Sequence, residues 1–484
     1  MFALLPEESF TWGDFGVDNE LILPKLFREA TESCGVCGGV AAGLPMAYLA
    51  GFALYALQHR GQESAGLVVG DGSGGKLWLK RGMGLVSEVF PVMAELRDRP
   101  GNLAVGHVRY SYGEKKAHPE NAEPLLFRYR HGELAVVHNG RLLNGGALRE
   151  ELQAEGAIFQ TDTDSELLAH LIARQGNPDL AGALQAVVPR LEGAFSFILT
   201  DGKKVYGLRD RHGFRPLSLA GLSGKGFFLA SETCAFDTIG AEYIRDLAPG
   251  ELVILTGEGM ESRQLLKPGR PSLCVFEYIY FARPDSNLQG INVHLVRREL
   301  GRRLAREHPA PADLVTGVPD SSIAAASSYA EESGLPYEMA LVKNRYIGRT
   351  FIRPTQQMRE EGVDLKLNVV RKIVEGKRVV IVDDSVVRGT TSMKLVRMMR
   401  RAGAREVHMR ISSPPVIATC HYGIDIPTAK ELISHGRTPA AVAGLLGVDS
   451  IGFLSEKGMI DAIGLSPEQL CRACFSGVDQ YAPA

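Results

Sequence analysis

The sequence predicts a two-domain chain of combined α/β and α+β class, an antiparallel-sheet half followed by a parallel-sheet half. Three observations carry that expectation. The chain has 484 residues, and roughly 100–200 residues make a domain, so two or three cores are expected. Before residue 266, short apolar runs at 134–137, 195–199 and 252–255 are separated by turn residues at hairpin-like spacing, which favours antiparallel sheet. Beyond it, strand-like runs at 313–318, 379–382 and 407–411 alternate with helical stretches at 322–332 and 391–402, the signature of βαβ units on a parallel sheet. Between the two patterns, Leu266-Lys267-Pro268-Gly269-Arg270-Pro271-Ser272 reads as a linker because its prolines and glycine interrupt both periods. Residues 34–265 and 272–455 are therefore the expected domains, with a leader at 1–33 and a tail at 456–484.

The elements follow in order. Residues 1–33 hold seven acids and two bases; a secretory signal needs a basic start and a transit peptide is poor in acids, so neither fits. The uncharged run 40–57 contains Gly43, Pro45 and Gly51 and no basic flank before it, and it reads as a buried core helix rather than a membrane span. A helix over 164–174 opens with acids suited to a helix N-terminus and places Leu167, Leu168 and Leu171 on one face. Lys plus Arg total 54 against 56 Asp plus Glu, a net charge of −2, which argues against nucleic acid as the main partner. Seven cysteines, an odd number in a long chain, suit a reducing, cytoplasmic setting rather than a secreted disulfide framework.

In the first half, Cys34-Gly35-Val36-Cys37-Gly38-Gly39 is followed by Leu57-Gln58-His59-Arg60-Gly61-Gln62-Glu63-Ser64-Ala65-Gly66. Then come Gly106-His107-Val108-Arg109-Tyr110, His138-Asn139-Gly140 and Thr163-Asp164-Ser165-Glu166. Singly, each has a bland reading: a buried thiol, a turn, a surface arginine. In this order they resemble the class II glutamine amidotransferases, whose glutaminase domain is an αββα N-terminal-nucleophile fold. The resemblance implies Cys34 as nucleophile, its own α-amine as base once residues 1–33 are removed, and Asn139 and Gly140 as oxyanion donors. It assigns Arg109 to the glutamine carboxylate and Asp164 to its ammonium, Asp162 being the weaker candidate. Those residue types suit the chemistry, since amide hydrolysis needs a strong nucleophile, a base and donors aimed at the developing oxyanion. Three departures stand out: Cys37 where the family has an apolar residue, the long acidic leader, and the 111–119 stretch with Lys115 and Lys116. Cys37 and Cys234 are expected to be structural.

In the second half, Val379-Val380-Ile381-Val382-Asp383-Asp384-Ser385-Val386-Val387-Arg388-Gly389-Thr390-Thr391-Ser392 is the sharpest signal. Four β-branched residues make a buried strand; two adjacent carboxylates then repel unless something binds them. The loop behind them offers backbone N–H groups and hydroxyls at a helix start, which suits phosphate. The stretch resembles the phosphoribosylpyrophosphate motif of type I phosphoribosyltransferases. That resemblance implies Asp383 and Asp384 at the ribose hydroxyls and a magnesium ion, with Ser321 sharing the metal. The 5-phosphate then lies in Ser385, Arg388, Gly389, Thr390, Thr391 and Ser392. Val315-Thr316-Gly317-Val318-Pro319-Asp320-Ser321-Ser322 resembles the pyrophosphate-side loop, and the segment with Lys343, Tyr346 and Arg349 resembles the loop that closes over substrate.

With Glu277-Tyr278-Ile279-Tyr280-Phe281-Ala282-Arg283-Pro284-Asp285-Ser286, the match covers about 34–474, and both halves together resemble the amidophosphoribosyltransferase family. The resemblance implies hydrolysis of glutamine at Cys34, internal passage of ammonia, and its attack on C1 of phosphoribosylpyrophosphate, the first committed step of purine synthesis. It also implies a homo-oligomer inhibited by purine nucleotides, with no nucleic-acid or membrane partner. Cys274, Cys420, Cys471 and Cys474 remain. Their spacing alone leaves zinc and a 4Fe–4S cluster open, but they match the four ligand positions of the family members that carry one such cluster per subunit. Two rivals are a regulator that senses the pyrophosphorylated sugar and an amidotransferase with another acceptor. The first lacks a basic DNA-binding segment, and the second has no need of the Asp-Asp loop.

Overall fold

The computed structural model describes residues 34–110, 118–344, 367–424, 426, 428–479 and 481. The predicted leader, most of the 111–119 stretch, and Tyr346 and Arg349 lie outside the described residues.

Short β-rich segments divided by glycine turns build two antiparallel sheets in the first half. The strands are β1 (Gly35–Ala41), β2 (Ser64–Gly70), β3 (Trp78–Met83), β4 (Leu103–Arg109), β5 (Leu125–Tyr129), β6 (Gly132–Leu142), β7 (Gly193–Thr200), β8 (Val205–Arg209), β9 (Ser218–Gly221), β10 (Gly226–Ala230), β11 (Glu242–Asp246), β12 (Glu251–Leu255) and β13 (Met260–Gln264). One sheet has the order β11-β9-β10-β1-β4-β2-β3, the other β13-β12-β8-β7-β6-β5. Strand alternation assigns the layers. Val36 and Val40 of β1 join Val105, Val137, Ile198 and Val253 in the core between the sheets. Cys37 and Ala41, on the opposite face, pack against helix α1 (Met46–Ala56). The outer face of the second sheet carries α2 (Gly145–Ala154), α3 (Asp164–Gln175) and α4 (Leu180–Val187). The result is the αββα sandwich.

The run at 40–57 is not one helix. It supplies the end of β1, a turn at Gly43 (φ +69°) and then α1, entered from Pro45. Uniform apolarity hid a fully buried strand and a largely buried helix. Helix α3 begins at Asp164, as expected, because the Thr163 hydroxyl accepts the Glu166 N–H, and it ends at a left-handed Gly176.

In the second half, β15 (Leu314–Gly317), β16 (Arg378–Asp383), β17 (Glu406–Ile411) and β18 (Ser450–Phe453) form a four-stranded parallel sheet in that order. Val315, Val380 and Val382 face a core shared with α5 (Val293–Glu307) and α6 (Ile323–Ser333). Leu314, Val379 and Ile381 face the core under α7 (Thr390–Arg401). Both faces are covered, which is why residues 379–382 of β16 are continuously apolar. Where α5 crosses α6, Gly301 is required: a Cβ there would sit 2.0 Å from the Ala325 carbonyl oxygen. Two short strands, β14 (Leu273–Cys274) and β19 (Leu470–Cys471), pair in parallel and bring the tail back to the junction of the halves. Among the described residues, no helix is long and apolar enough to cross a membrane.

Candidate active sites and thiol cavity

Cys34 stands at the head of β1, where pairing sets Gly35 opposite Val108 of β4. Its Sγ lies 3.5 Å from both the N–H and the carbonyl oxygen of Tyr110. Burial pushes this thiol up, while the Arg109 charge and a Tyr110 backbone contact oppose the shift. A thiol in that state needs a base to become a thiolate. The His107 ring crosses from β4 to the carbonyl of His138 at 3.0 Å, so β6 runs beside the strand that flanks Cys34. Burial, helped by Arg109, pushes His107 down to about 3; the ring is neutral.

On β6, Asn139 is fully buried, and neither atom of its amide has a hydrogen-bond partner among the described residues. A buried, unsatisfied amide is costly unless a ligand completes it. Gly140 follows with φ +138°, and any Cβ there would lie 2.0 Å from the Ala194 carbonyl oxygen. Two residues on, the Leu142 N–H donates to Asp164 at 2.8 Å, which ties the end of β6 to the start of α3. Asp162 instead uses its N–H to donate to Asn121 Oδ1. Arg109 is nearly buried, with its Nε 3.6 Å from Glu63 and a terminal nitrogen 4.0 Å from Glu123, and that Nε makes no hydrogen bond among the described residues. The guanidinium keeps capacity for an incoming carboxylate.

Glu123 escaped the sequence reading, although an acid between Ala122 and Pro124 in an apolar stretch was a signal. It accepts the His138 N–H at 2.8 Å and lies 3.6 Å from His107. Burial, opposed by Arg109, pushes its carboxyl up to about 7.

The second site assembles at the C-terminal end of the parallel sheet, where α/β sheets place ligands. The Ser322 hydroxyl donates to Asp383 Oδ1 at 3.1 Å, as does the Asp384 N–H at 2.9 Å. Asp384 accepts from Ser321 on one oxygen and from the Ser385 hydroxyl on the other, at 2.8 Å. The loop after β15 and the loop after β16 thus meet through Ser321 and the paired carboxylates. The donor set is hard oxygen, which fits magnesium. From Ser385 the chain runs to Gly389 in the left-handed conformation (φ +80°) and enters α7, so Thr390, Thr391 and Ser392 form its first turn. Arg388 reaches Glu431 at 3.2 Å, and Lys343 donates to Asp320 of the β15 loop at 2.7 Å.

Cys274, Cys420, Cys471 and Cys474 line one cavity together with Phe214, Arg215 and Phe276. All are free thiols. Burial, and then the neighbouring thiols, push Cys471 and Cys474 upward. Among the described residues, no three His, Cys, Asp or Glu side chains converge on a point that one ion could fill; the thiols surround a space. Four soft donors around an apolar cavity fit a sulfur-ligated group. Cys37 and Cys234 are buried in the helix-facing core.

The architecture and the two sites define a glutamine amidotransferase half joined to a phosphoribosyltransferase half. Residues 107–238 match the glutamine amidotransferase domain model, and 296–412 match the phosphoribosyl transferase domain model. The chain is 48% identical over 453 residues to the amidophosphoribosyltransferase of Bacillus subtilis, covering 92% of this chain and 94% of that one. It is 49% identical over 452 residues to that of Synechococcus elongatus, covering 92% and 91%. A solved structure of B. subtilis glutamine phosphoribosylpyrophosphate amidotransferase, complexed with ADP and GMP, superposes with a TM-score of 0.85 at 47% identity, covering 92% of this chain and 97% of that one. The chain belongs to the amidophosphoribosyltransferase family.

One prediction follows from Glu123. The native carboxyl keeps its proton to about pH 7, whereas the unfolded one loses it near the ordinary value of 4.5. Between those values the native state binds more protons, so this group's contribution to stability falls as pH rises. Glu123→Gln stays neutral throughout. In urea unfolding at several pH values, the stability gap should be flat below about pH 4.5 and shift toward the variant from there to pH 7. A gap constant across that window would mean that the native carboxyl is ionised.

Proposed function

We propose that this chain carries out its family's reaction, the glutamine-dependent amination of phosphoribosylpyrophosphate, with Cys34 as nucleophile and the paired aspartates at the acceptor. Residues 34–265 form the glutaminase domain, 272–455 the transferase domain and 456–484 the tail. The observation that carries the reading is the unpartnered, buried Asn139 amide beside Gly140, on a strand bridged to the nucleophile's neighbour by His107.

Cys34 Sγ attacks the amide carbon of glutamine while its α-amine takes the thiol proton. Asn139 Nδ2 and the Gly140 N–H donate to the oxyanion. Arg109 binds the substrate carboxylate and Asp164 its ammonium. The C–N bond breaks as the α-ammonium returns that proton to the leaving nitrogen, ammonia departs, and water releases glutamate from the thioester. Ammonia passes inside the protein, because in neutral water it would mostly protonate. Its nitrogen then bonds to C1 of the sugar as the bond to pyrophosphate oxygen breaks, giving 5-phosphoribosylamine.

Asp383 and Asp384 hold the ribose hydroxyls, and with Ser321 they would hold magnesium. Ser385, Arg388, Gly389, Thr390, Thr391 and Ser392 cradle the 5-phosphate. Lys343, Tyr346 and Arg349 meet the pyrophosphate. Bound magnesium supplies charge neutralisation for that leaving group. Cys274, Cys420, Cys471 and Cys474 would hold one 4Fe–4S cluster as a clamp between tail and junction. The subunits form a homo-oligomer in the cytoplasm. Purine nucleotides regulate the enzyme, a reading supported by the ADP and GMP in the related B. subtilis complex.

Three experiments test these roles. The mass of active protein should lack residues 1–33, and Cys34→Ser should lose glutamine use but keep synthesis from added ammonia; full glutamine-dependent activity with the leader attached would refute the free-amine base. Metal analysis should find roughly four irons and four sulfides per chain, both reduced in Cys471→Ser, whereas one zinc and no iron would replace the cluster by a zinc site. Asp383→Asn keeps its shape but loses a charge, and synthesis should fall on the order of 10²–10³-fold with either nitrogen donor. Basal glutaminase should survive; its loss alongside normal synthesis would reverse the division of labour.

A further inference from the structure

Between the halves lies a group of buried charges that the two reactions do not use. Arg60, in the turn between α1 and β2, has no exposed side-chain surface, and neither do Glu232, Arg215 and Glu277. The Arg60 guanidinium meets Glu277 with two bonds of 2.9 Å, one from each terminal nitrogen. One of those nitrogens also donates to Glu232 at 2.5 Å. Its Nε donates to the Cys34 carbonyl oxygen at 3.2 Å. Arg215 lies 3.7 Å from Glu277, so two cations face two anions. Burial alone would raise Glu232, but His59 and Arg60 hold it well below the usual carboxylate range.

Two glycines keep this guanidinium close to the nucleophile. A Cβ at Gly35 would lie 3.1 Å from the Leu57 Cβ and 3.4 Å from that of Arg60; one at Gly61 would lie 2.6 Å from the backbone carbons of Val108 and Arg109. The Arg60 turn is therefore pressed against both Cys34 and Arg109.

We infer that Arg60 is a positioning residue for the nucleophile, and that Glu277, from the second half of the chain, holds it in place. The inference rests on the reading of Cys34 as an N-terminal nucleophile. A first residue has no preceding peptide group, so its carbonyl is the backbone handle that fixes where the amine and Sγ point. Arg60 Nε holds that handle, and the bidentate carboxylate fixes the guanidinium plane. With Glu277 neutral, the guanidinium turns toward Glu232 and Nε leaves the Cys34 carbonyl. Misplacement by about 1 Å is enough to cost on the order of 10²-fold in rate.

The experiment uses the active holoenzyme as purified, its chain beginning at Cys34. Glu277→Gln should lower kcat with glutamine by about 10²-fold with KM for glutamine nearly unchanged, and ammonia-dependent synthesis should persist. Arg60→Lys keeps the buried charge but cannot reach all three partners; it must show the same split, which covers the case in which Glu277→Gln does not fold. Parallel loss of both activities in Arg60→Lys, a change confined to KM, or no change would overturn the inference. Failure of the underlying reading looks different: Cys34→Ser would then retain glutamine use whatever these variants do.

Discussion

The ion cluster of Arg60, Glu232, Glu277 and Arg215 is the constraint on which the arrangement of the halves depends. Desolvating four charges is unfavourable by several kcal/mol each, and only close, multiply bonded geometry offsets it. Every member therefore has to be in register. Arg60 sits between α1 and β2, Glu232 follows β10, and Glu277 stands three residues beyond Cys274. Moving either half would leave a buried charge exposed to an apolar core, a loss of roughly 3–5 kcal/mol. The same cluster reaches the tail region: Arg215 donates to the Tyr422 carbonyl at 2.5 Å, two residues beyond Cys420. Gly423, next in line, packs on Gly140, where a Cβ would approach its carbonyl carbon to 3.1 Å. The thiol cavity and the Asn139–Gly140 end of β6 are thus neighbours through a few atoms of backbone.

The two sites solve opposite electrostatic problems. At the end of β16 two adjacent carboxylates are kept together by hydroxyls and an N–H from Ser321, Ser322, Ser385 and Asp384. Such donors reduce mutual repulsion without neutralising it, so the pair keeps its negative charge. In the glutaminase half the thiol is buried beside Arg109, and that cation lies 3.6 Å from Glu63. A neutral His107 links the strands without adding charge.

Much of this was legible in the sequence. Four β-branched residues before Asp383 announced a buried parallel strand, and Gly389 before Thr390 announced the turn into a helix. Cys34, Arg109, Asn139 and Asp164 were singled out by their order, and they stand before β1, on β4, on β6 and at the start of α3. The run at 40–57 was misread because hydrophobicity reports burial, not the backbone that achieves it. Gly43 and Pro45 were the only local signs that a strand ends and a helix starts there.

The sequence by itself determined the elements and the chemistry at their ends, because turn residues, caps and strand periodicity act over a few positions. Tertiary structure alone decided which remote charges meet. Arg60 and Glu277 are 217 residues apart; Arg60 stands among polar residues and Glu277 in an apolar stretch, and neither setting names the other as partner. Their pairing exists only because two sheets, a π-helical turn at Glu277–Phe281 and the returning tail close around one water-free space. In that space a charge must find its partner or the fold is lost.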